Sequence, residues 1–123
     1  MSRLLRVLFP VFAVLALLVG VPLLLAPGRF LDIFGWAPVE PILDRILGSA
    51  LIALAWASWR AGRSRDAALV ILIAETNAAF CTLGAAGILR HVISPAHYPL
   101  MVWTVLVVLA AFAVLWLLAL WRR

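Results

Sequence analysis

Glu75 lies within an apolar run from Ala67 to Leu89 and is the one ionisable side chain set well inside any such run. Counted from Asp66 at about 1.5 Å per residue, it falls roughly 13 Å into that run, too far for a carboxylate to reach water by bending its side chain. It is therefore expected to be neutral, paired, or beside a water-filled cavity. A carboxyl in hydrocarbon is costly, and such groups mark proton relays and transport pathways or act as hydrogen-bonding contacts between helices.

Its surroundings define the candidate chemistry. Glu75, Ala78, Ala79, Thr82 and Ala86 recur at helical spacing, a small-residue stripe that predicts close approach of another helix and hence a Glu75 facing protein. Ser49, Thr82 and Thr104 fall at a similar estimated depth, and Arg45 enters the second run above them. Together Glu75, Thr82, Ser49, Thr104 and Arg45 form a candidate intramembrane polar site. The alternative for the hydroxyls is that each bonds its own i−4 carbonyl. Asp44 could pair with Arg90 near the same end, and Asn77, two residues from Glu75, points to a different contact.

Other chemistries find no support. His91, His97, Asp32 and Glu40 fall on one side of the chain without ligand spacing, so no metal site is expected. The single cysteine, Cys81, rules out a disulfide framework or paired redox thiols and is expected to serve as a small apolar residue. No phosphate-cradling glycine loop or nucleophile elbow is present, and no cofactor is expected.

The elements that must position these residues are four apolar runs in 123 residues. A hydrophobic fraction of 67% and mean hydropathy of +1.20 exceed the roughly 45–50% apolar usage of soluble domains. A spanning helix needs about 20 apolar residues, and in hydrocarbon long unbroken runs satisfy their backbone as helices. The expected fold is an all-α membrane four-helix bundle, one domain over 1–123, with spans near 5–26, 42–60, 67–89 and 98–121. Phe30, Ile33 and Phe34, with Arg29 and Asp32 on the polar side, predict a short interfacial helix between spans one and two. The first run is too long for a signal h-region and lacks a small-x-small cleavage site, so it is expected to stay.

Every basic residue is arginine. Arg3, Arg6, Arg60, Arg63, Arg65, Arg122 and Arg123 fall on the side of the termini, and Arg29, Arg45 and Arg90 on the other. The bias predicts cytoplasmic termini. The net charge of +5 is thus a topology signal that also suits anionic headgroups, and it forms no continuous basic surface for nucleic acid. Trp56, Trp59, Trp116 and Trp121 fall near one membrane face, and Trp36, Tyr98 and Trp103 near the other, as interfacial anchors.

Pro27-Gly28-Arg29-Phe30-Leu31 with Phe34-Gly35, then Asp44-Arg45-Ile46-Leu47-Gly48-Ser49-Ala50 opening span two and Trp56 to Arg60 closing it, resembles small bacterial four-span membrane proteins in uncharacterised families near the DoxX-like clan. The resemblance covers Leu25 to Arg60. It implies a four-helix inner-membrane bundle and brings no catalytic or binding residues.

Three functional classes remain open. The first is a non-catalytic scaffold, accessory subunit or lipid-binding bundle, with membrane lipids, a membrane protein or further copies of itself as partners. The second is a small oligomeric transporter using Glu75. Small multidrug resistance proteins, with four spans and an intramembrane glutamate, are similar, but their glutamate is in span one, where this chain has none. The third is a membrane enzyme on lipophilic substrates with Glu75 as acid and base, a chemistry that wants a second polar partner.

The arginine asymmetry generates the first test. A reporter active only outside the cytoplasm, fused after Arg123, should give no signal. Strong activity would reverse the assigned orientation.

Overall fold

A computed structural model describes residues 3–26, 29–30, 41–92 and 100–121. Four helices fill them: α1 (Arg3–Leu25), α2 (Pro41–Gly62), α3 (Ala67–Val92) and α4 (Leu100–Trp121), with no strand among the described residues. Each is long and apolar enough to cross a membrane. The shortest runs 22 residues, about 33 Å at 1.5 Å per residue, so a hydrocarbon core of about 30 Å is spanned by all four.

The expected spans agree with these helices to within a few residues, and α3 continues through Arg90 to Val92. The start of span four at 98–99, and positions 31–34 of the expected interfacial helix, lie outside the described residues. Arg29 and Phe30 are helical, and the Phe30 amide donates to the Ala26 carbonyl at 3.0 Å.

Local chemistry explains the ends. Pro10 and Pro22 sit inside α1, each without an N–H to donate, so the carbonyls of Arg6 and Leu18 lose their usual partners. Between α2 and α3, Asp66 is the N-cap: its Oδ1 accepts from the Ala68 amide at 3.0 Å, while its own amide donates to Ser64 Oγ at 3.1 Å. Arg63 and Ser64 amides reach back to the Arg60 and Ala61 carbonyls, closing α2 with a tighter turn.

The bundle is two helix pairs. α1 packs most extensively on α2 and α3 on α4, with lesser contacts joining α2 to α3 and α1 to α4. Glycine makes the first pair possible. A Cβ on Gly48 would sit 2.7 Å from both the Gly20 carbonyl oxygen and the Leu24 amide nitrogen, so the two backbones nearly touch there. Lower down, Gly62 lies against Phe9, which fixes α1 and α2 as antiparallel.

Aromatic rings close the pairs together. Phe9 and Phe12 of α1 meet Trp116 of α4 with centroids 5.0 and 5.7 Å apart, and Phe12 meets Phe112 edge-on at 5.5 Å. Edge-to-face contacts of this kind add about 0.5–1.5 kcal/mol each beyond the area they bury. The placement of Trp116 corrects the expectation that it belongs to an interfacial belt, since it is 0% exposed. Trp56, Trp59, Trp103 and Trp121 do lie on the outer surface, whereas Trp36 and Tyr98 are outside the described residues.

Close backbone approach gives a test by thermal unfolding in detergent. Gly48→Ala should destabilise by about 1–3 kcal/mol, because the obstructing atoms are main chain and the helices must part. Gly87→Ala, with nothing within 4 Å of the added methyl, should be neutral or stabilising. Equal tolerance would remove the glycine contact as the seam between α1 and α2.

Candidate functional site

Inside the bundle, polar chemistry reduces to one bond among the described residues. Asn77 Nδ2 donates to Ser58 Oγ at 2.8 Å, joining α3 to α2, and both side chains are fully buried. Asn77 Oδ1 and the Trp116 indole nitrogen, also buried, have no hydrogen-bond partner. Cys81, Ala74, Ala78 and Val70 continue the buried face of α3, so its inward stripe runs through Val70, Ala74, Asn77, Ala78 and Cys81.

Glu75 is turned away from that stripe. It is exposed on the outer surface, as are Ala79, Thr82 and Ala86, and this corrects the expectation that the Glu75 stripe faces the bundle interior. Ala78 alone of that set is buried. The physical reason is that small residues line both sides of α3, and in lipid an alanine does not reveal which side meets protein.

The depth of Glu75 is also shallower than counting along α3 suggests. The Ser58–Asn77 bond sets Asn77 level with a residue only four positions before the end of α2. Glu75 is two residues nearer the end of the bundle that carries both termini, and so is level with Arg60. On α4, Leu117 and Leu120 line one groove with Glu75. Arg60 precedes the end of α2 by two residues, placing Glu75 about 3 Å inside the level of Gly62. A glutamate there reaches the headgroup region with its side chain. Counting from Asp66 overstates the depth because α3 starts beyond the end of α2.

The remaining site candidates do not converge. Ser49 is exposed and its Oγ donates to the Arg45 carbonyl at 3.0 Å, its own i−4 position. Thr82 is exposed in the same groove as Glu75, and Thr104 is exposed on α4. Arg45 is exposed near the opposite end of α2 from Arg60. Asp44 is half-buried, and its Oδ2 lacks a hydrogen-bond partner, so the expected pairing with Arg90 is not made through that oxygen. The His91 side chain, His97, Asp32 and Glu40 lie outside the described residues; among the described residues no three metal-ligating side chains gather.

The groove that holds Glu75 is open, with a volume of about 420 Å³. Ala78, Ala79, Leu83, Leu117 and Leu120 make it almost wholly apolar, and Glu75 and Thr82 also line it. At the end of α2, Arg60 and, in the turn that follows, Arg63 lie over Trp56 and Trp59, with guanidinium carbons 5.8 and 5.7 Å from the ring centroids. Such stacking fixes long cationic side chains at the membrane surface. The Ser58–Asn77 contact was not foreseen as a pair, although Asn77 was set apart from the Glu75 face. A buried Asn opposite a Ser one span earlier is the signal that could have found it.

The two faces of α3 are separable by substitution. Ala74→Leu should destabilise the fold in detergent by about 1–3 kcal/mol through overpacking, while Ala79→Leu should leave the unfolding midpoint of a single chain unchanged. A larger loss at Ala79 would place it in the core. No protein-family model, no curated protein and no solved structure matches this chain.

Proposed function

We propose that this chain is a non-catalytic component of a bacterial inner membrane, a scaffold or accessory subunit that works through its outer faces on lipids or membrane protein. Both termini face the cytoplasm in this reading, as the arginine bias favours. The bacterial placement rests on the resemblance of Leu25 to Arg60 to the small four-span families near the DoxX-like clan.

One observation carries the proposal: the five polar residues of the expected intramembrane site are on the outside. Transport through one chain, or acid–base chemistry on an enclosed substrate, needs polar groups that converge around a space. Here the described interior is filled by Phe9, Phe12, Phe112, Trp116 and alanines, and its one polar contact is the Asn77–Ser58 bond between helices. Glu75 and Thr82 are exposed in one outer groove, and Ser49 and Arg45 on α2 and Thr104 on α4 are exposed apart from it. An apolar groove edged by a carboxyl is a surface for another membrane component.

Purified protein in vesicles with an internal pH dye tests this directly. Under an imposed proton gradient the protein should give no flux above protein-free vesicles, and Glu75→Gln should change nothing. A flux that Glu75→Gln abolishes would overturn the proposal in favour of proton-coupled transport.

A further inference from the structure

Two outer features of opposite character sit at one height. On α2, Trp56 is 63% exposed, and the Arg60 guanidinium lies over its ring. On the opposite flank, Glu75 and Ala79 of α3 border the open groove floored by Leu117 and Leu120. The Ser58–Asn77 bond makes those two residues level. Because α2 and α3 run in opposite directions, two residues toward the termini puts Arg60 level with Glu75, and two residues the other way puts Trp56 level with Ala79.

Direction follows from the same count. Two residues are about 200° around an α-helix, so Trp56 and Arg60 point away from the α2–α3 contact, as do Glu75 and Ala79 on the far side. The chain therefore cannot bring its own Arg60 to its own Glu75, and neither forms an ion pair among the described residues.

Resting on the outer-surface reading above, we propose that copies of this chain associate head to tail in the membrane. Trp56 of one copy seats in the α3–α4 groove over Ala79 of the next, and Arg60 of the first meets Glu75 of the second. Copies inserted in one orientation hold all four residues at matching heights without adjustment, and the seven-to-three arginine bias selects one orientation. A large ring projecting from one face and a small-residue groove on the other are complementary in shape, and the guanidinium and carboxyl are complementary in charge. The interface is heterologous, so it builds rings or rows rather than a two-fold dimer. A lipid tail could fill the apolar part of the groove but would bring no guanidinium to Glu75.

Disulfide trapping in native membranes tests the proposal, first with all four residues in place. Ala53 and Thr82 are exposed and lie five residues from Ser58 and Asn77 respectively, at one height on the two faces. In a Cys81→Ala background, full-length copies with different tags would carry Ala53→Cys and Thr82→Cys. Mild oxidation should link the two, and neither variant should link to itself. Arg60→Glu should lower the yield at least about tenfold, and Glu75→Arg in the partner copy should restore it. A Thr82→Cys product formed alone would overturn the proposal in favour of a two-fold interface. Absence of any product from copies with normal unfolding midpoints would overturn it as well. Quenching by brominated lipid in those copies, read as the difference from Trp56→Phe, would show that lipid covers the Trp56 face instead. Such failure would leave the outer-surface reading standing, because that depends on Glu75-linked flux.

Discussion

The bond from Asn77 to Ser58 sets one half of this bundle against the other. Within hydrocarbon, backbone groups are satisfied inside each helix, and apolar side chains gain little by choosing protein over lipid, so helices can slide along one another at small cost. A buried amide paired with a buried hydroxyl removes that freedom, since moving by one turn would strand both groups. Transmembrane bonds of this kind contribute only about 0.6 kcal/mol on average, up to about 1.7. Its importance is positional: the heights of Arg60, Glu75 and Trp56 follow from it.

The rest of the interior is steric. Gly20 and Gly48 let α1 and α2 come together until main-chain atoms limit them, and the rings of Phe9, Phe12, Phe112 and Trp116 fill the space where α1 meets α4. Both devices work without a hydrophobic driving force, one by close dispersion contact and the other by shape and ring electrostatics. The polar residues that remain are displaced to the outside, where the functional reading places the working surface.

Four helices and their lengths were legible in the sequence because hydropathy and the need to satisfy the backbone act on whole segments. Which side of each helix faces inward was not. In water an apolar face declares itself against a polar one; in α4 every side looks alike, and Trp116 passes for a surface anchor though it is buried. Glu75 stands out by residue type alone, but its depth and direction depend on the stagger of α3 against α2, which no single-helix count contains. Ser49 is the converse case. Its bond to the Arg45 carbonyl is local, and local geometry alone named that alternative.

The near-contact of Gly20 and Gly48 bears on how the chain is assembled. Its partners belong to the first two helices, which share the most extensive packing in the molecule. That hairpin contains everything it needs to pack before α3 and α4 are synthesised. The second hairpin arrives with its own large mutual contact, leaving the Ser58–Asn77 bond and the aromatic seam as the joints made last. Synthesis order and packing strength therefore run in parallel, and once α2 has left the ribosome the chain already holds both sides of the most extensive seam of the finished protein.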